Sequence, residues 1–387
     1  MLIRVPARFE TYGAVRIYDV GRVVSLDAVG FEKRHGVFNL DSTTLENIAE
    51  STAIVVAVRD EDPDVLDGVI KAVPLYSPLI IVSASSRYPV DMYSHEVSLA
   101  KNLYSITGRK VVLIHQRDPV LTDLLQGTSL EGIIDPSDGL VRYGKGEGIV
   151  LGVLAADAIG ARHVGFIDGD NYIPGAVHEY TWIYYTGLSF LRTKYKMIRV
   201  VWSYKGGLKE EYFRKSGRVS SQVNNILNQA LSMIRRFETD IVKSCNSGEH
   251  AMSIDLAKGM SFAGSFAVET YELIELLEEC YLGINDGLCK FAPSNVEILQ
   301  VESRNPHIHS EKGEAHLIKM LAESLGTIYH SKLSNDRLRE HIKKILESYL
   351  YEAEPPEPRK YSVSGISTRK IFNELISRSD LAEAFGV

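Results

Sequence analysis

Two rhythms of apolar and polar positions divide this chain near residue 205. Before it, continuous apolar runs of strand length at residues 53–58, 79–83, 110–114, 163–167 and 197–202 predict strands buried on both faces. Between them, amphipathic spacing predicts helices over 65–73, 94–107, 119–125, 147–159 and 175–190. Strand and helix in strict alternation imply right-handed βαβ units, hence an α/β, doubly wound sheet. After it, a hairpin-like segment at 204–213 around Gly206-Gly207 leads into helices at 220–236, 249–258, 269–280, 312–329 and 336–351, interrupted by one strand at 296–301. Residues 14–18 and 22–26 read as short strands, and Asp41-Ser-Thr-Thr caps a helix at 45–50.

These patterns divide the chain into an N-terminal elaboration (1–50), a nucleotide-type core (51–205), a helical part (206–353) and a tail (354–387). Glu354-Pro-Pro-Glu-Pro358 is a stiff break, so the tail is expected to pack on a neighbouring subunit. A homo-oligomer, most simply a dimer, is therefore expected.

Composition narrows the function classes. At 387 residues and 45% hydrophobic, the chain can bury a large core. Its formal charge of −7 argues against nucleic-acid binding, which needs a basic surface. Cys245, Cys280 and Cys289 are odd in number and lack CxxC spacing, so neither a disulfide framework nor a zinc knuckle is expected. No apolar run approaches about 18 residues and no signal core is present, which predicts a cytoplasmic protein without a membrane partner.

The chemistry concentrates at strand ends. Asp168-Gly169-Asp170 closes the run at 163–167, and Pro174 suits the first turn of the next helix. Residues i and i+2 of an extended segment point the same way, so both carboxylates could face one divalent cation at the rim where open α/β sheets bind ligands. Gly139 to Gly148 contains glycine, four residues, glycine and lysine, but Gly146 follows Lys145 where a P-loop needs Ser or Thr. What survives is a turn whose N–H groups and Lys145 can approach an anion at a helix start. Asn305-Pro-His307-Ile-His309 offers two imidazoles without a third zinc ligand, suiting one histidine beside Asp170 on Mg²⁺ or Mn²⁺ already carrying diphosphate oxygens. Gly248-Glu249-His250 places a carboxylate and an imidazole at the expected start of helix 249–258. Arg214 to Arg218 clusters cations suited to a phosphate or carboxylate, and His115-Gln116-Arg117-Asp118 lies at a strand end where it could line a nucleotide cleft.

Taken in order, Ile80 to Ser83, His115 to Pro119, Gly144 to Gly148, Val164 to Val177, Gly248 to Met252, Asn305 to His309 and Thr327 to Leu333 resemble the mannosyl-3-phosphoglycerate synthases, glycosyltransferase family 55. The likeness covers roughly residues 50–350. It implies a GT-A type, nucleotide-sugar-binding α/β fold with helical C-terminal additions. It also implies retaining transfer of mannose from GDP-mannose to 3-phosphoglycerate with Mg²⁺, or Mn²⁺ or another divalent cation. Gly169 stands where the family more often has alanine, which leaves both carboxylates intact. The catalytic groups expected are Asp168, Glu249 and His250; the metal ligands, Asp170 with His309 or His307. Arg59, Glu61, Ser83, Gln116, Lys145, Asp168 and Gly169 are expected on the donor side, and Arg142, Gly144 and Arg218 on the acceptor side. Rival readings are glucosyl-3-phosphoglycerate synthesis, a sugar-phosphate nucleotidyltransferase and a non-catalytic nucleotide-sugar sensor.

Overall fold

Alternation along single strands sets the layout. In Thr52–Val58, Ala53 and Val55 enter one core while Ile54, Val56 and Val58 enter another, so the sheet is covered on both faces. The computed structural model describes residues 1–25, 37–39, 41–207, 210–215, 217–282, 289–309, 313–349 and 353–387. Ser216 and the expected element ends at Leu26, Lys312 and Tyr351 lie outside these residues.

The central strands Val111–His115, Leu79–Ser83, Thr52–Val58 and His163–Asp168 are hydrogen-bonded in that spatial order and all run parallel. His250–Ser253 comes next, antiparallel to His163–Asp168 and to Tyr195–Trp202, followed by Val296–Ser303 and Val15–Ser25. The expected α/β class with helical additions holds, but the sheet is mixed. Strands from each of the four segments read from the sequence enter it.

The expected helix 249–258 is corrected to a strand, His250–Ser253, and a short helix, Ile254–Gly259. All four strand residues are buried, and their backbone groups need the partners that two flanking strands supply. The tail closes on its own chain. Ala382–Phe385 forms the edge strand on Val111–His115, Lys360–Ser362 pairs with Ser261–Ala263, and helix Thr368–Arg378 packs on Lys145–Ala158. Cys280 and Cys289 form a disulfide, against expectation: the end of helix Val268–Cys280 returns beside the chain leading into Val296–Ser303. Cys245 stays reduced and buried, its thiol pushed up to about 12 by burial. Among the described residues no helix is long and apolar enough to cross a membrane.

Helix Lys145–Ala158 is buried on nearly all sides, between the sheet and the C-terminal helix, and so its start is a fixed point. Pro174–Phe190 covers the opposite face. Against the middle of the sheet, on Tyr195–Trp202 and His250–Ser253, lies a fully buried ionic network. The Arg199 guanidinium meets Glu272 at 2.6 Å and donates to the carbonyl oxygens of Ser244, Cys245 and Glu269 at 3.0, 3.1 and 2.8 Å. His250 Nε2 lies 2.9 Å from the other Glu272 oxygen, with its imidazole against the Phe166 ring.

Removing one partner from such a pair strands the other charge. Arg199→Ala is expected to lower unfolding free energy by about 3 to 5 kcal/mol, measured by urea denaturation. His163, at the start of its strand, is held neutral: burial first, then Lys196 and Arg162, lower its pKa from 6.5 to about 4. The unfolded chain then binds the extra proton between those values, so stability is lost as pH falls from 6.5 to 4, by up to about 3 kcal/mol. In His163→Gln this component of the pH slope should vanish; an unchanged slope in urea midpoints would refute the assignment.

Candidate active site

Asp168 ends its strand on the same face as Val164 and Phe166, the face that helix Lys145–Ala158 covers. There it meets the first residue of that helix. Lys145 Nζ lies 2.6 and 2.9 Å from the two Asp168 oxygens and 2.8 Å from Glu269 Oε1. Burial alone would lower the lysine's pKa, but the carboxylates of Asp168, Glu269 and Glu249 outweigh it and hold the group above the ordinary range, fully charged. Gly248 makes room for this pair: a Cβ there would stand 2.7 Å from both Asp168 Oδ2 and Lys145 Nζ.

Glu249 follows, fully buried. Its Oε1 accepts from Asn171 Nδ2 at 3.1 Å, and the same amide donates to the Asp168 carbonyl oxygen at 3.0 Å. Its Oε2 has no hydrogen-bond partner among the described residues. Burial, then the charge of Asp168, push its pKa up to about 7 against the opposing pull of Lys145 and Lys205.

Strand His307–His309 runs parallel to Lys205–Gly207, and Tyr172 N–H donates to the Ile308 carbonyl at 3.0 Å. That bond ties the histidine strand to the turn carrying Asp170. The predicted hairpin exists at its base, where Lys205 and Arg214 exchange backbone bonds of 2.8 and 2.9 Å. Its other edge is taken by the histidines. His307 is buried between Tyr180 and Trp202, with Nδ1 3.4 Å from the tyrosine hydroxyl and 3.8 Å from Glu249 Oε1. His309 is only partly buried.

The structure sorts the expected residues. The strand stops at Asp168, and Gly169 and Asp170 form a turn, so the shared-face argument for an extended pair does not reach Asp170. Asp168 belongs to Lys145, while Asp170 is buried in the turn. A Cβ on Gly169 would come within 2.9 Å of the Ala57 carbonyl and 3.5 Å of Glu61 Cγ, which places Glu61 beside it. Gln116 holds the turn before Lys145 by donating to the Arg142 and Gly144 carbonyls at 2.6 and 3.0 Å. Arg59 and Arg117 both lie over the Tyr143 ring, at 5.1 and 4.6 Å. The buried Ser83 hydroxyl accepts from Ser85 N–H. Arg142 pairs with Asp135 at 3.1 Å, and Arg218 is exposed at the first residue of its helix, 3.5 Å from Glu210. His250 leaves the cluster altogether for Glu272, and neither it nor Glu249 starts a helix.

Asn171, Glu269, Trp202 and Lys205 belong to the site and were not read from the sequence. The Lys205 ammonium sits 4.0 Å from the centre of the Trp202 ring. Burial lowers its pKa, partly offset by Glu249, Asp168 and Asp170. Its only local signal is its place between a strand end and Gly206-Gly207.

Among the described residues no three His, Cys, Asp or Glu side chains converge closely enough to hold a metal by themselves. A carboxylate and an imidazole with the remaining positions filled by diphosphate oxygens is a donor set that fits Mg²⁺ or Mn²⁺. Asp168, Asp170 and Glu269 also outnumber Lys145 and Lys205, an excess of negative charge that a divalent cation would correct.

Two curated relatives, each named mannosyl-3-phosphoglycerate synthase, match along their length. The protein from Aeropyrum pernix is 45% identical over 100% of both chains, and that from Pyrococcus furiosus is 38% identical over 94% of this chain and 93% of its own. Among solved structures, glucosyl-3-phosphoglycerate synthase from Mycobacterium tuberculosis with Mn²⁺, UDP-glucose and phosphoglyceric acid gives a TM-score of 0.49 at 17% identity, covering 89% of this chain and 100% of that one. The same enzyme with Mg²⁺ and UDP gives 0.45 at 18%, covering 73% and 82%. A model described as mannosyl-3-phosphoglycerate synthase matches residues 5–375, and the chain belongs to that family.

Proposed function

We propose that this protein transfers mannose from GDP-mannose to the hydroxyl of 3-phosphoglycerate with retention at the anomeric carbon, releasing GDP. The observation that carries the reading is the Tyr172 to Ile308 backbone bond, which brings the Asp170 turn and the histidine strand together at the sheet rim of a chain in this family. Asp170 and His309 are the proposed metal ligands, since His307 is enclosed by Tyr180 and Trp202. A divalent cation held there supplies Lewis-acid neutralisation of the diphosphate.

The chain's own residues do the rest. Lys145, charged and fixed at a helix start, presents a preorganised cation to the departing diphosphate. Glu249 keeps one oxygen for a substrate hydroxyl, which orients the sugar or the acceptor. The acceptor hydroxyl attacks on the face from which GDP departs, and its proton passes to the leaving phosphate oxygen. Arg218 and Arg142 remain the proposed grips for the acid's phosphate and carboxylate.

Incubation with GDP-mannose, 3-phosphoglycerate and Mg²⁺ should yield mannosyl-3-phosphoglycerate and GDP, the latter only when acceptor is present. Release of pyrophosphate from GTP and a sugar phosphate, or preferred turnover of GDP-glucose, would replace this reading. Asp170→Ala should abolish metal-dependent turnover with circular dichroism unchanged. Lys145→Met is expected to reduce kcat by about 100- to 1,000-fold; activity near wild type would remove the lysine from the diphosphate.

A further inference from the structure

Glu147, in the first turn of helix Lys145–Ala158, is fully buried beside the proposed diphosphate lysine. Its Oε1 accepts from the Tyr361 hydroxyl at 2.8 Å, and its Oε2 accepts from Ser265 N–H at 2.9 Å. Neither donor is charged. A carboxylate desolvated in this way costs several kcal/mol that an apolar side chain would not. Packing alone therefore does not account for it.

The space around the carboxylate has been cleared. A Cβ on Gly144 would stand 1.9 Å from Glu147 Oε2, one on Gly264 would stand 2.5 Å from Glu147 Oε1, and one on Gly146 would stand 1.9 Å from the Ala263 carbonyl. Tyr361 reaches in from the C-terminal segment, where Lys360–Ser362 pairs with Ser261–Ala263 and Gly264 N–H donates to the Arg359 carbonyl at 3.0 Å. The segment that follows the proline-rich break is thus bonded to the glycine turn on which Lys145 stands.

We propose that Tyr361 is a positioning residue: its hydroxyl holds the Glu147 carboxylate, and through it the Gly144-Lys145 turn, so that the C-terminal segment sets the Lys145 ammonium against Asp168. The inference rests on the transfer reaction proposed above, because Lys145 is the group being positioned. Without the hydroxyl the carboxylate loses its bond to the C-terminal segment and keeps the N–H groups of Ser265 and of Glu147 itself, and the turn gains freedom while the helix behind it stays packed.

Tyr361→Phe in the full-length protein tests this, since it removes one oxygen and keeps the ring. Amide hydrogen exchange at residues 144–148 should accelerate about tenfold with exchange at 150–156 unchanged. The kcat for mannosyl transfer should fall about tenfold with KM for 3-phosphoglycerate within about twofold. Glu147→Gln, which can still bond both partners, should stay closer to wild type than Glu147→Ala. Unchanged exchange at 144–148, loosening spread along the whole helix, or unchanged kcat would each overturn the proposal. A wild-type protein inactive on these substrates would instead count against the transfer reading, and the exchange result would still decide whether Tyr361 positions the turn.

Discussion

The contact on which the site depends is the ion pair between Lys145 and Asp168, 2.6 Å long, which joins the start of a buried helix to the end of a central strand. Each half is fixed by something other than the pair. The strand lies between two hydrogen-bonded neighbours, and the helix is packed on nearly every side. The pair is therefore a consequence of two rigid elements meeting, and it makes no demand on long, flexible side chains to find one another in solvent. Glu269 at 2.8 Å adds a second carboxylate, so the lysine keeps its proton despite burial. A cation preorganised in this way can stabilise a leaving anion without reorganising at the moment of reaction.

What the sequence disclosed follows from what is encoded locally. Strands 53–58 and 79–83 were legible because burial on both faces leaves a continuous apolar run, and Asp168 and Lys145 because a strand end and a glycine-rich helix start carry their own residue signatures. His250–Ser253 was not legible. Its identity as a strand depends on His163–Asp168 and Tyr195–Trp202, and in isolation the segment running into Ile254–Gly259 has helical spacing. The same holds for His307–His309 beside Lys205–Gly207, for the edge strand Ala382–Phe385 and for the Cys280–Cys289 bond, all made by partners whose proximity is a property of the finished fold.

Side-chain alternation explains the one expected catalytic residue that the structure sends elsewhere. Adjacent residues entering a strand point to opposite faces, so Glu249 and His250 cannot both serve one site. Glu249 goes to Asn171 and the Asp168 rim, and His250 goes to Glu272. At the start of a helix the two would sit side by side; on a strand one side chain meets Asn171 and the other meets Glu272.

Two of the buried glutamates, Glu272 and Glu147, show how such a fold separates stability from positioning. Glu272 has a full counter-charge in Arg199 and a second contact in His250, an arrangement whose Coulombic return offsets its desolvation and which holds several chain segments together. Glu147 accepts from the Tyr361 hydroxyl and from backbone N–H groups, and burial raises its pKa while those hydrogen bonds and Arg359 only partly oppose the rise. The first is anchored by a guanidinium and an imidazole. The second is held by weaker, directional bonds and lies two residues from Lys145. Directional bonds to neutral donors define an angle and a distance more sharply than they lower the energy of the fold. That is the property a turn needs when its task is to place one ammonium group.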